Sequence, residues 1–168
     1  GLEEVTLADG IQEIGNDAFS GCVSLCKINL PSSLIKIGET AFNGCVSLAA
    51  VDFATANPEV VLSDGSFSGA GLTALDMSAL NMKSIAERSF FDCQSLTEVR
   101  LPENLEKIGN SAFNGCIALE TVEFGNNLTY IDVAAFNGCS ALKSVALPES
   151  LTDLMPVSYT HLTLPTIL

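Results

Sequence analysis

Residues 101–119 read LPENLEKIGNSAFNGCIAL, and the rest of the chain repeats this phrase with small changes. The Phe of its Ala/Ser-Phe pair recurs as Phe19, Phe42, Phe67, Phe90, Phe113 and Phe136, at steps of 23, 25, 23, 23 and 23 residues. Three further columns keep the same beat. The Leu that opens each apolar stretch falls at Leu2, Leu25, Leu48, Leu72, Leu96, Leu119 and Leu142. Three residues later stands Val5, Ile28, Val51, Leu75, Val99, Val122 or Val145, and two further on Leu7, Leu30, Phe53, Met77, Leu101, Phe124 or Leu147. The unit is L-x-x-V-x-L-P-x-x-L-x-x-I-G-x-x-A-F-x-G-C-x-x, and a period of roughly 20–50 residues marks a repeat architecture in which one unit cannot bury its apolar face alone.

Inside the unit, the Val-x-Leu core alternates inward and outward and is rich in β-branched residues, which predicts a short strand. Seven such strands are expected, near residues 4–7, 27–30, 50–53, 74–77, 98–101, 121–124 and 144–147. Pro31, Pro102 and Pro148 follow directly; lacking an N–H donor, they stop the ladder there. The Leu, Ile and Phe of the return path stand at spacings of three and five, with Gly15, Gly38 or Gly109 after the Ile. That pattern suits tight turns or 3₁₀ segments. Parallel strands need a crossover of about a dozen residues or more, and the return path supplies it.

Composition excludes several function classes. Twenty acidic against seven basic residues leave a net charge of −13, which repels a phosphate backbone or an anionic bilayer; nucleic acid is not an expected partner. The longest uncharged run, Leu154–Leu168, is short for a membrane span and broken by polar residues and prolines. The chain begins at Gly1 with neither a basic nor an apolar leader region, so export is not legible from it.

Five of six cysteines fall in one column, Cys22, Cys45, Cys93, Cys116 and Cys139, with Ala70 in the remaining place. A slot that accepts Ala is an apolar packing slot, and free Cys behaves as a small buried hydrophobe. Cys26 lies off the column; its C-x3-C spacing from Cys22 allows a local disulfide or half a zinc site, but no second ligand pair completes one. Neither a metal nor any other cofactor is expected. The one His, His161, lies in the tail, and the chain has no Gly-rich phosphate loop, so no nucleophile–base pair or metal centre is evident. Cys26 is the only candidate nucleophile, and the chain is read as not an enzyme. Asn127-Leu128-Thr129 forms a glycosylation sequon, relevant only in a eukaryotic secretory pathway.

The phrase LPxxLxxIGxxAFxGC, nearly complete at residues 30–45 and 101–116, resembles the BspA-like leucine-rich repeats over residues 2 to about 154. The resemblance implies a curved leucine-rich-repeat solenoid, a right-handed superhelix of about seven 23-residue repeats, with a parallel β-sheet on the inner face and short turns or 3₁₀ segments on the outer face. It also implies a bacterial or mucosal-parasite protein of the cell surface or extracellular space, implicated in adhesion, and no catalytic residues. The expected domains are residues 1–155 as the solenoid and 156–168 as a non-repeat tail. The tail's phrase VSYTHLTLPT resembles a translated cloning scar, although Tyr159 keeps the Ile-to-Phe spacing after Leu154, so the tail could cap the last repeat. The repeat departs most at residues 54–71, ATANPEVVLSDGSFSGAG, where a bulged return loop is expected with the inner strands still in register.

The remaining candidate is the outward side of the strands, where alternation gives two columns. The first runs Glu4, Lys27, Ala50, Ala74, Glu98, Thr121, Ser144, and the second Thr6, Asn29, Asp52, Asp76, Arg100, Glu123, Ala146. Neighbours lie about 4.8 Å apart across a sheet, so Arg100 can neutralise both Asp76 and Glu123. Asp52 has no such neighbour. The expected ligand site is a shallow acidic notch over Ala50 and Ala74, formed by Asp52, Asp76, Arg100, Glu98 and Glu123, that accepts a Lys, Arg or cation. The function expected is a non-enzymatic protein-binding or adhesion module, its partner a protein such as a host or matrix component; the alternative is a structural spacer with no ligand of its own.

Overall fold

The computed structural model describes residues 1–155; the tail at 156–168 lies outside the described residues. The elements in chain order are β1 (Glu4–Val5), β2 (Glu13–Ile14), β3 (Lys27–Ile28), β4 (Lys36–Ile37), β5 (Val61–Leu62) and β6 (Ala74–Asp76). They continue with β7 (Ser84–Ile85), β8 (Glu98–Arg100), β9 (Lys107–Ile108), β10 (Thr121–Glu123), β11 (Tyr130–Ile131) and β12 (Asp153–Leu154). The strand pairings among the described residues are parallel, between residues 23 to 25 apart: Glu4 with Lys27, Lys36 with Val61, Ala74 with Glu98, Tyr130 with Asp153. The chain winds as about seven stacked coils, numbered here from the one that begins at Leu2.

The inner face carries β1–β3 and, separately, β6–β8–β10. Two of the expected inner strands, at 50–53 and 144–147, do not form. Their apolar residues nevertheless keep their columns: Phe53 is buried and Val51, Val145 and Leu147 pack against the core. After 50–53 the chain turns at once: the Asp52 carboxylate accepts the Ala54 N–H at 2.9 Å and the Thr55 hydroxyl at 3.4 Å. The register expected through the 54–71 bulge is thus kept by the side chains but not by the inner ladder.

The outer side differs from expectation. Residues read as turns or 3₁₀ segments include a second parallel ladder, β2–β4–β5 and β7–β9–β11–β12, and no 3₁₀ helix is present among the described residues. Each of its strands has two residues, an outward one such as Lys107 and an inward one such as Ile108; the inward residue is buried in every strand but the last, β12, where Leu154 is exposed. Two residues are too few to show alternation in sequence.

A third row runs along the Phe column. Phe19, Phe42, Phe67, Phe90 and Phe113 each donate their N–H to the residue before the next Phe, at 2.7–2.9 Å. The residues two before and two after Phe do the same: Arg88, Phe90 and Asp92 donate to Asn110, Ala112 and Asn114 at 3.0, 2.9 and 2.8 Å. The intervening N–H groups close i to i−3 turns, as Phe91 to Arg88 at 3.0 Å. Sending alternate donors in different directions requires left-handed residues on both sides of the Phe. Those after it are Gly21, Gly44, Gly69, Gly115 and Gly138, with Asp92 (φ 56°) in the one exception, which explains the Gly of the template. Those before it are Asp17, Thr40, Gly65, Arg88, Ser111 and Ala134, where composition gives no signal.

The Phe rings stack at centroid distances of 4.9–5.7 Å with interplanar angles of 6–13°. Phe42, Phe67, Phe90, Phe113 and Phe136 are fully buried; Phe19, in the first coil, is only partly so. Each coil walls its neighbour, as the repeat period implied. The thiols of Cys45, Cys93, Cys116 and Cys139 donate to the carbonyl of Phe19, Phe67, Phe90 and Phe113 at 3.1–3.2 Å, so the Cys column also ties coils together.

The residue before Phe is Ala in coils one, two, five and six, Ser66 in coil three and Ser89 in coil four. Ser89 donates its hydroxyl to Ala86 at 3.0 Å, whereas the buried Ser66 Oγ has no partner among the described residues. A buried unsatisfied hydroxyl costs about 1–3 kcal/mol. Ser66→Ala is therefore expected to raise stability by about 1 kcal/mol, read as a higher urea midpoint at unchanged m. A lower midpoint would show that the hydroxyl is satisfied.

Candidate functional site

The inner strands hold the candidate residues in the order that alternation dictates. Ala74 lies beside Glu98 and Asp76 beside Arg100, which in turn lies beside Glu123. Arg100 Nε is 2.7 Å from Glu123 Oε2, its Nη2 is 3.4 Å from Oε1, and its Nη1 is 3.5 Å from Asp76 Oδ2. All three side chains are roughly half exposed, so each pair contributes about 0–1 kcal/mol. Their effect is positional: a guanidinium gripped from both sides presents its remaining donors in a fixed direction.

Glu123, chiefly through its hydrogen bond, raises the Arg100 pKa further. Asp76 is held below the ordinary carboxylate range mainly by the Ser78 hydroxyl at 2.6 Å and the Ser78 N–H at 2.9 Å, with Arg100 a smaller contributor. Asp76 thus combines two tasks, capping the turn after its strand and facing Arg100.

Ala74, Leu75, Asp76, Glu98 and Arg100 line a shallow depression of about 100 Å³. Glu123 reaches it through Arg100. Ala50 and Asp52 are both exposed but do not line it; they belong to the coil whose inner strand is missing, and the Asp52 carboxylate is turned to Ala54 and Thr55. The neighbouring Asn29 is also engaged, its amide spanning the N–H and carbonyl of Leu7 at 2.6 and 3.0 Å.

A second depression, of about 270 Å³, went unread in the sequence. It lies on the outer ladder, between Ser84, Glu87, Lys107, Asn110 and Asp132. Lys107 Nζ stands 4.8 Å from the centre of the Tyr130 ring and 3.4 Å from Asp132 Oδ2. The signal available was the column Glu13, Lys36, Val61, Ser84, Lys107, Tyr130, Asp153, the outward residue of each second-ladder strand.

All six cysteines are free. Cys26 is exposed, its thiol 3.4 Å from the Glu3 carbonyl, and Cys22 is half buried. Burial pushes the thiol of Cys45 up to about 11, those of Cys93 and Cys139 up to about 12, and that of Cys116 well above its ordinary value. A thiol raised on folding contributes stability that is fully present below its unfolded value of 9.0 and is lost as pH rises through about 11 to 12. Stability is thus expected to fall above pH 9. Under native conditions at neutral pH, Cys26 should react with a thiol reagent in seconds to minutes, while Cys45, Cys93, Cys116 and Cys139 wait for denaturant. Rapid labelling of Cys116 in the folded protein would contradict their burial.

No group of three or more His, Cys, Asp and Glu among the described residues could hold a metal ion, and the described residues include no helix long and apolar enough to cross a membrane. The sequon is built into the stack: Leu128 is fully buried, and the Asn127 amide and Thr129 hydroxyl donate to the carbonyls of Glu103 and Glu106.

Parallel coils of 23 to 25 residues, a Leu-rich core and a strand-lined inner face define a leucine-rich-repeat solenoid, a class that generally mediates protein interactions. The model of the BspA type leucine rich repeat region matches in six copies over residues 1–68 and 60–167. The chain belongs to that family, a non-enzymatic repeat fold whose members are typically bacterial surface or secreted proteins. Among solved structures, a leucine-rich repeat protein from Bacteroides ovatus is 28% identical at a TM-score of 0.81, over 89% of this chain and 38% of that one. The leucine-rich repeat protein of T. pallidum is 27% identical at a TM-score of 0.62, over 84% of this chain and 78% of that one. The chain thus spans well under half of the Bacteroides ovatus protein. A search of curated proteins gives no significant match.

Proposed function

We propose that the chain is the protein-binding part of a cell-surface or secreted adhesion protein and that its inner strand face makes the contact. The observation that carries this reading is the Asp76–Arg100–Glu123 row, an ordered set of charges beside Ala74 on three hydrogen-bonded strands. Sites built on strands are held more precisely than sites on loops. Ala74 leaves room for a partner side chain, and Asp76 and Glu98 favour a Lys or Arg from that partner. Such charges set partner choice and encounter rate more than raw affinity.

The test is capture of host matrix and mucus proteins on the immobilised chain, followed by affinity measurements on the captured partner. Replacing Asp76, Glu98 and Arg100 together by Ala should weaken binding at least about tenfold, as loss of a central charged cluster does. Unchanged affinity would reject the inner face as the contact. Failure to retain any partner would favour the spacer reading instead.

A further inference from the structure

We propose that the third coil, residues 48–71, is a joint about which the two halves of the solenoid bend. Coils one and two, four and five, and five and six are each joined by three rows of backbone hydrogen bonds: the inner ladder, the outer ladder and the Phe row. The third coil lacks this triple connection on both sides. Toward coil two, the outer ladder continues through β4 and β5, but on the inner face β3 pairs only with β1, and no strand of the third coil extends that ladder. Toward coil four, both ladders stop, since β5 does not pair with β7 and residues 50–53 form no strand to pair with β6.

The Phe row alone runs through. Phe42 donates to Ser66 at 2.7 Å and Phe67 to Ser89 at 2.8 Å, with flanking bonds on both sides. Its ring spacing across the second boundary, 5.7 Å between Phe67 and Phe90, is the widest of the five stacked pairs. Elsewhere the hydrogen bonds across the boundary with coil four are scattered: Thr73 on the Ala49 carbonyl, Asn81 on the Pro58 carbonyl and the Glu59 carboxylate, the Glu87 N–H on the Asp64 carboxylate and the Cys93 thiol on the Phe67 carbonyl. A bonded row along one edge with two interrupted rows beside it is the geometry of a hinge that pivots where the Phe row crosses the boundary.

The sequence supplies the cause. Phe67 follows Phe53 by fourteen positions where Phe113 follows Leu101 by twelve, and the longer segment includes Pro58, shortly after the Asp52 turn. Ala50 and Asp52 belong to the joint, whereas Ala74, Asp76 and Arg100 belong to the half beyond it. Bending therefore changes the breadth of the acidic row on the inner face. This inference does not depend on what, if anything, binds there.

Spin-label distance distributions test it. In a Cys22→Ser background, one pair joins the exposed native Cys26 to Glu120→Cys and crosses the joint. The reference pair, Glu87→Cys with Glu120→Cys in a Cys22→Ser, Cys26→Ser background, lies wholly beyond it. The crossing distribution is expected to be at least about twofold broader than the reference, as collective bending adds to label motion. It should narrow when residues 54–61 are replaced by the template segment Pro102–Lys107, which closes the insertion. Equal widths in the native chain would overturn the hinge without reference to the repaired variant.

Discussion

Phe113→Ala is expected to lower the free energy of unfolding by about 3–5 kcal/mol, the range for a fully buried Phe truncated in a core that relaxes little. Phe113 lies between Phe90 at 5.3 Å and Phe136 at 5.2 Å, and its main chain is bonded to the coil on one side while its carbonyl accepts the Cys139 thiol from that same side. The ring cannot be replaced by movement of one neighbour, because each neighbour is itself fixed in the stack. Phe19→Ala provides the contrast. Phe19 has a stacked ring on one side only and is partly exposed, so its truncation should cost about half as much, roughly 1.5–2.5 kcal/mol. Urea unfolding of both variants gives the comparison. Equal losses would deny that stability is shared between adjacent coils.

Gly71→Ala is expected to cost about 3 kcal/mol or to prevent folding, at the upper end of what overpacking does. A Cβ at Gly71 would stand 2.0 Å from the Val46 carbonyl oxygen and 2.8 Å from its carbon. The close approach has a countable origin. Three residues carry the chain from Cys45 to Leu48, but only two from Ala70 to Leu72, so the missing residue draws the Gly71 backbone against the coil before it. Gly71 is not among the glycines with positive φ, so the penalty is one of contact. Gly15→Ala, with nothing within 4 Å of its Cβ, should be nearly neutral or raise stability by up to about 1 kcal/mol through the unfolded chain. The pair of midpoints separates contact from a general glycine effect.

The columns that repeat one residue type at one phase were legible because stacking makes equivalent residues neighbours. Phe113, Cys116, Leu119 and Val122 could be placed facing their counterparts without coordinates, and so could the Asp76–Arg100–Glu123 row. What was not legible depends on backbone direction. Arg88 and Ser111 are left-handed with no Gly to announce it, because the demand comes from sending alternate N–H groups to the next coil. Lys107–Ile108 is a strand of two residues, below the length at which alternation can be counted. Asp52 could be placed on the inner face by column, but its hydrogen bonds to Ala54 and Thr55 depend on how the enlarged return path leaves the strand. The candidate site was accordingly legible from Ala74 to Glu123 and less so at Ala50 and Asp52.

Amide hydrogen exchange of the Phe row tests the stacking most directly. The N–H groups of Phe42, Phe67, Phe90 and Phe113 leave their own coil and donate to the next, so only a continuous stack protects them. They are expected among the slowest amides in the chain, exchanging through global or large sub-global opening. Exchange of the Phe90 and Phe113 amides at the rates of exposed loop amides, in protein that is otherwise folded, would contradict the account.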